Sequence, residues 1–462
     1  MEEADATGVE PPGEALMRHA TAAGMADQSS PRGWYTVFIL GTVAMLSYMD
    51  RGVMALFVQP LKRDFGLSDT EVSFLLGLAF TLPYVLFGFP MSRLIDRGVR
   101  RTLIAACLAA WSFATALCGI AQNFWTLFVC RAVTGGAESV NTAAALSVIA
   151  DAIRRDRLPR AFAIQAAGVS TGAALSLLIG GLLFGLLIHV PPIHVAGIGV
   201  IYNWQLVFMI VGIPGLLLAG LMMFTVPEPG RKGGTRPGGY PLREVFGFVG
   251  GLRVLHLPLL GGIVLLSMLN YGLGAWSPAF YQRTYGWGPE VAGPLMGIVS
   301  LVGSLIGLFV GARLAELLAR THDDANLRVL LLAHGLALPL HVIGPLMPSP
   351  WLALGCNAIA GIFGVMGGPG FYAALQLTTP NEMRGQINVL YAASMNTIGG
   401  SLGPTLVGVL TDFVAPSEAD LRYVLVGVNL LIAPVALLLL WKSLAPYART
   451  YRQRIDAGEV ME

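Results

Sequence analysis

Ser92-Arg93-Leu94-Ile95-Asp96 and Ala312-Arg313-Leu314-Ala315-Glu316 stand 220 residues apart and share one order: small, Arg, Leu, aliphatic, acid. Each closes a long apolar segment, 71–93 in one case and 291–314 in the other. The same offset carries Asp50 onto Asn270, and both lie inside apolar segments of their own. Repetition at this distance divides the chain into two related halves running in the same sense.

Working outward from this pair, a spanning helix needs about 20 mainly apolar residues. Twelve stretches qualify: 34–58, 71–93, 102–121, 125–150, 162–188, 204–226, 258–282, 291–314, 328–347, 351–378, 386–411 and 421–442. The longest connector is 227–257, with Pro227-Glu228-Pro229-Gly230 and a Gly/Pro-rich run up to Tyr240. It reads as a linker between two six-helix bundles. The expected organisation is all-α and membrane-embedded. Residues 1–33 form a disordered cytoplasmic tail, 34–226 the first bundle, 227–257 a cytoplasmic linker, 258–442 the second bundle and 443–462 a second cytoplasmic tail.

Composition agrees with this layout. Of 462 residues 55% are hydrophobic and 12% charged, against about 25% charged in an average soluble domain. Such a chain is not an ordinary soluble enzyme, a disordered chain or a nucleic-acid binder. Its 29 Lys and Arg residues are placed unevenly. With both termini inside, 23 fall on the inner side, four (Lys62, Arg63, Arg283, Arg422) on the outer side, and Arg51 and Arg131 within spans. That bias sets the cytoplasmic side, and a multi-pass place in a plasma membrane is expected. Cys107, Cys118, Cys130 and Cys356 all sit in apolar segments without a CxxC, and read as packing residues. The Gly-rich run 361–370 lacks the Lys-Ser/Thr and strand context of a phosphate cradle. No ATP-driven step, cofactor, metal or enzymatic activity is expected.

Asp96-Arg97-Gly98-Val99-Arg100-Arg101, between the second and third spans, resembles the Gly-x-x-x-Asp-Arg-x-Gly-Arg-Arg loop of the major facilitator superfamily. Ser92 and Val99 stand where that pattern has glycines. Arg131-x-x-x-Gly135-Gly136 resembles the family's fourth-helix motif. Within the superfamily the chain is most similar to the bacterial spinster-like group, on five stretches. These are Tyr48-Met49-Asp50-Arg51, Leu67–Glu71, Gly136-Ala137-Glu138, Gly212–Leu216, and Met383-Arg384 with Gly400–Pro404. Anion:cation symporters share the first-helix Asp-Arg and the fourth-helix Gly-x-Glu. The resemblance implies a major facilitator fold of twelve helices, usually monomeric, that moves solutes by alternating access. For the spinster-like group it implies a lipid-like substrate such as a lysophospholipid.

Four ionisable residues lie deep in the first bundle: Asp50, Arg51, Arg131 and Glu138. Each costs about 2.5–3.5 kcal/mol at a bilayer centre unless paired or wetted. Helical rise puts Asp50 about 24 Å along the first span, and Arg131 and Glu138 about 9 and 20 Å down the fourth. In a core about 30 Å thick, Asp50 and Arg131 share a depth and Glu138 lies below. Two acids and two bases can therefore form one cluster. An acid that loses its Arg partner takes up a proton and one that regains it lets go, so Asp50 and Glu138 are the expected proton carriers, with Arg51 and Arg131 as exchanging partners. The alternative is a static ion-pair network that fixes helix packing.

The second half places no basic residue at mid-membrane depth. Its expected cavity residues are Asn270, Tyr271, Trp276, Tyr372, Gln376 and Asn396, facing Tyr48 and Tyr84 of the first half. A cavity charged on one side and aromatic on the other suits an amphipathic substrate. An organic anion held by an Arg, or a hydrophobic drug, are the competing cargoes, and a non-transporting sensor is a fourth reading. His334 and His341, seven apart on one helix face, read as packing residues. Asp96, Arg97 and Arg101 are expected to latch the cytoplasmic end, with Glu316, Glu382 and Arg384 as counterparts in the second half.

Overall fold

A computed structural model describes residues 31–154, 157–230, 241–380 and 383–457. The expected tail at 1–33 therefore lies almost wholly outside the described residues, as do Glu382 and the middle of the linker. The chain is helical except for one small hairpin.

Helix α1 (Pro31–Val53) passes through a 3-10 turn, Met54–Phe57, into α2 (Val58–Phe65). Gly66 ends that run at φ +66°, a conformation without penalty only for a residue lacking Cβ. Ser68 and Glu71 then form a reciprocal cap that starts α3 (Asp69–Leu76). The path breaks at Gly77 and continues as α4 (Leu78–Arg97). Next come α5 (Arg100–Cys118), α6 (Phe124–Glu138, capped by Asn123), α7 (Asn141–Ala152) and α8 (Leu158–Leu187). An antiparallel hairpin, β1 (Ile193–Val195) and β2 (Gly199–Ile201), pairs Ile193 with Ile201 and leads to α9 (Asn203–Thr225).

After the linker, a short α10 (Leu242–Gly251) precedes α11 (Arg253–Tyr285), α12 (Pro289–Ala319) and α13 (Ala325–Ile343). Helices α14 (Pro350–Met366) and α15 (Gly368–Thr378) are separated at Gly367. A π-helical turn, Met395–Gly399, joins α16 (Arg384–Ser394) to α17 (Gly400–Val414), and α18 (Leu421–Asp456) closes the chain.

Among the described residues, eleven helical runs are long and apolar enough to cross a bilayer. The difference from twelve lies in the expected span 125–150, which is two helices of 15 and 12 residues. Between them the Ser139 hydroxyl donates to the Gly136 carbonyl at 2.7 Å, competing with the helical ladder. Three other features depart from expectation. The hairpin was not foreseen, α18 runs to Asp456 rather than stopping at 442, and Arg283 lies in the last turn of α11 rather than in a loop. Large apolar side chains such as Leu186, Phe224, Leu431 and Phe413 are largely exposed around the barrel of helices, as a lipid-facing surface requires.

In the first half α1 packs along α8, α5 along α9 and α4 along α6. In the second α11 packs along α18 and α12 along α14. The halves meet where α8 lies on α12 and α3 lies on α17. These seams need close backbone approach. A Cβ at Gly297 would stand 2.8 Å from the Ala174 carbonyl oxygen, and one at Gly77 2.9 Å from the carbonyl oxygens of Gly400 and Ser401.

The bundle thus has two distinct ends. The tail end carries the start of α1 and the end of α9, joined where Tyr35 and Thr225 share a hydrogen bond of 2.6 Å. The end of α18 lies there too, with Arg452 paired to Asp323. At the opposite end, here termed the clasp end, α2, α3, α11 and α17 converge.

Candidate functional site

Glu138, the last residue of α6, is fully buried. Its Oε2 accepts from Arg51 Nε at 2.8 Å and from Ser47 Oγ at 2.6 Å, so α1 and α6 are joined through one carboxylate oxygen. Among the described residues Oε1 has no partner. The Arg51 guanidinium is held over three rings, Phe80 at 4.6 Å, Tyr48 at 4.8 Å and Tyr84 at 5.2 Å. Such cation–π contacts favour a cation that has left water. The Arg51 side chain keeps 20% of its surface exposed, so the pair has one dry member and one partly exposed.

Asp50 and Arg131 lie beside this pair, both almost completely buried. They are neighbours but not an ion pair. Arg131 Nη1 donates to the Asp50 backbone carbonyl at 3.5 Å, whereas the Asp50 carboxylate accepts from Thr115 Oγ1 at 3.2 Å. The Arg131 guanidinium rests over Phe80 at 5.1 Å, and its Nε has no partner among the described residues. Phe80 therefore stands against both arginines. Its position is set by Gly135, where a Cβ would lie 2.1 Å from the Phe80 carbonyl oxygen, so only glycine lets α6 approach α4 here.

Three of the expected cavity residues surround Arg51 from both halves. Tyr48 of α1 and Tyr84 of α4 stand under its guanidinium, and Tyr271 of α11 lies within electrostatic reach. Tyr372 of α15 lies near Tyr48 and Tyr271. Tyr271 donates to Asn396 Oδ1 at 2.6 Å, which ties α11 to the π-helical turn. Gln376 is exposed one turn beyond Tyr372. Two residues belong elsewhere. Trp276 is fully buried, and its indole N–H donates to the Pro404 carbonyl at 2.9 Å, so it packs α11 on α17 instead of lining the cleft. Asn270 lines a separate hollow inside the second half.

At the tail end the expected latch is partly displaced. The side chains of Asp96 and Arg97 lie outside the described residues, like Glu382. Arg101 donates through its backbone N–H to Glu228 at 2.7 Å and through Nη1 to the Val226 carbonyl at 3.1 Å. Its neighbour Arg100, not singled out in the sequence, carries more. It is buried, pairs with Asp151 and Glu228, and donates to Ser147 and the Pro229 carbonyl at 2.8 Å each. One guanidinium thus joins α5, α7 and the segment after α9. Glu316 pairs with Arg313 of its own helix, and Arg384 donates to the carbonyls of Gln376 and Thr379. Neither pairing crosses between the halves.

The clasp end holds a set that sequence reading assigned only to loops. Arg283 of α11 grips Asp69 of α3 through both carboxylate oxygens, at 2.6 and 2.7 Å, with each side chain at most 2% exposed. Lys62 of α2 bridges Asp69 and Glu418, each at 2.7 Å. From the second half, the Asp412 carboxylate accepts the backbone N–H groups of Asp69 and Thr70 at 3.1 and 2.7 Å. An acid from one half thereby caps a helix of the other. No sequence signal links Asp69 with Arg283, because the pairing exists only once the halves are docked.

Charge pairs shared between helices, rings from both halves and a clasp at one end define a two-body membrane carrier closed at that end. The comparisons agree: residues 40–404 match the Major Facilitator Superfamily, and the chain belongs to that family. An MFS-type efflux pump of Mycolicibacterium smegmatis is 27% identical over 437 residues, covering 92% of this chain and 96% of that protein. The probable galactarate/D-glucarate transporter of Bacillus subtilis is 24% identical, covering 88% and 91%. Among solved structures, a bacterial homolog to the human lysosomal transporter Spinster, in an inward-facing and unoccupied conformation, shares the fold. Its TM-score is 0.74 at 24% identity, covering 93% of this chain and 98% of that one.

Proposed function

We propose that the protein is a proton-coupled secondary transporter of the bacterial inner membrane that carries an amphipathic, lipid-like substrate such as a lysophospholipid. The observation that carries this reading is the Glu138 carboxylate. It is fully buried, yet its salt-bridge partner Arg51 keeps part of its surface exposed. Substrate reaching Arg51 competes for that guanidinium, and the freed carboxylate takes up a proton. Asp50 and Arg131 form the second couple, adjacent but unpaired in this state. The tyrosines around Arg51 supply an aromatic wall for the apolar part of the substrate.

The split fourth span counts as a twelfth crossing, and both termini are cytoplasmic, in line with the inner-side excess of Lys and Arg. The bodies 34–226 and 258–442 rock about the central site as a monomer, joined by 227–257. Breaking the clasp opens the far side, and re-forming it returns the carrier to the tail-open state. A second reading, an organic anion:proton symporter, is favoured by Arg131, whose guanidinium has no carboxylate partner among the described residues.

The test uses purified protein in proteoliposomes under an imposed pH gradient, with luminal pH as readout. Lysophosphatidylethanolamine should evoke proton flux that Glu138→Gln abolishes. Flux with a hexuronate alone would replace the lipid reading by the anion reading. Lysolipid-evoked flux that persists in Glu138→Gln would move the proton to Asp50.

A further inference from the structure

All four cysteines are free thiols, and two of them meet. Cys118 closes α5 and Cys130 lies in the second turn of α6, and their thiols share a hydrogen bond across the seam between these helices. Their surroundings differ. Cys118 is 1% exposed, whereas Cys130 is only half-buried. Trp125, Val129 and Val133 recur every fourth residue along α6 as an exposed apolar stripe, and Cys130 follows Val129 at its margin. One thiol is therefore reachable from the lipid side, and the other only through its neighbour. The remaining two cysteines stand apart. Cys107 precedes Cys118 by about 16 Å along the same helix, and Cys356 belongs to α14 of the second half.

The pair also stands beside the charge cluster. Cys118 lies within electrostatic reach of Arg131 and Asp50. Thr115, which donates to the Asp50 carboxylate, is one turn before Cys118 in α5, and Arg131 follows Cys130 in α6. Two thiols in contact can do what neither does alone: exchange with a disulfide and then close on each other.

We propose that Cys118 and Cys130 form a reversible dithiol–disulfide site, open to disulfide reagents that dissolve in lipid. Cys130 is the thiol attacked first and Cys118 the one that closes the link. The Cys130 thiolate attacks one sulfur of the reagent and breaks its S–S bond, and the leaving thiolate takes up the proton that Cys130 gave. Cys118 then attacks the Cys130 sulfur of the mixed disulfide, and its proton passes to the second leaving thiolate. The two cysteines together lose two electrons and two protons, and the reagent is reduced to two thiols. The closed link ties α5 to α6 next to the Asp50 carboxylate. The inference concerns the thiols alone and does not depend on the transport reading.

The test treats the full-length protein in lipid nanodiscs with 4,4′-dithiodipyridine, followed by quenching, unfolding, alkylation with N-ethylmaleimide and tryptic mass spectrometry. Both thiols fall in one peptide, 102–131, because no Lys or Arg lies between Arg101 and Arg131. In wild type that peptide should carry a Cys118–Cys130 bond, with no thiopyridyl or maleimide group on either residue, and dithiothreitol should open it. Cys118→Ser and Cys118→Ala each remove the closing thiol, so the thiopyridyl group should stay on Cys130. Cys130→Ser should slow modification of Cys118 at least tenfold. Three outcomes would overturn the site. They are a thiopyridyl group retained on Cys130 in wild type, Cys118 modified at an unchanged rate in Cys130→Ser, and thiols that react only after unfolding.

Discussion

The two halves repeat one chain path but spend their interiors differently. The first buries Asp50, Arg131 and Glu138 and sets a partly exposed Arg51 beside them. The second leaves a hollow lined by no Asp, Glu, Lys or Arg. Even the matching breaks differ. Between α6 and α7 the path breaks beside Glu138, whereas between α14 and α15 it breaks at Gly367, with no ionisable neighbour in sequence. Two halves with one chain path thus differ in where they place charge.

The comparison is most exposed at Glu138. Replacing it with Gln removes the titrating group but keeps shape and hydrogen bonds. Substrate-evoked proton flux should fall by about two orders of magnitude, the scale expected when an essential proton carrier is lost. Flux in proteoliposomes measures this, and retention within a few-fold of wild type would take the proton from Glu138 and leave it to Asp50.

The clasp comes next. Asp69→Asn leaves Arg283 buried beside an amide, and removing one partner of a buried pair costs about 3–5 kcal/mol. The tail-open state should lose ground to one open at the clasp end. Spin labels at Arg63 and Val291, both exposed, should report a longer distance, whereas an unchanged distribution would mean the clasp is ornamental.

A smaller effect is expected at Gly77. Gly77→Val forces methyl groups against the Gly400 and Ser401 carbonyls, an overpacking worth about 1–3 kcal/mol. It should open the same end while leaving every charge in place. If Asp69→Asn acts and Gly77→Val does not, the clasp works through charge alone and not through backbone fit.

The mildest change lies in the second half. Tyr271→Phe removes one hydrogen bond to Asn396, worth about 0.5–1.5 kcal/mol. The half-saturating substrate concentration should rise a few-fold with coupling intact. Loss of coupling there would erase the distinction between the halves.

Much of this was legible beforehand because a charge inside an apolar run is conspicuous. Asp50, Arg51, Arg131 and Glu138 stand out by cost alone, and helical rise was enough to group them. Their pairing was not legible. The spacing allowed Arg131 to meet the Asp50 carboxylate, yet Thr115 takes that place. Arg100 was passed over for Arg101 because only the folded path of Glu228 and Asp151 decides which of two adjacent arginines turns inward. Trp276 was read as a cavity ring, since nothing local reveals that Pro404 offers its carbonyl. Asp69 and Arg283 were each read as loop charges, being 214 residues apart and joined only by docking of the halves.

The central claim is that the proton is handled in the first half and that Glu138 carries it. The most direct measurement compares two modes of transport by Glu138→Gln in proteoliposomes: substrate-evoked proton movement, and exchange of labelled for unlabelled substrate at equal pH. The account predicts that exchange continues while proton movement disappears, since alternation needs no titration once substrate is bound. Proton movement that persists alongside exchange in that variant would contradict it.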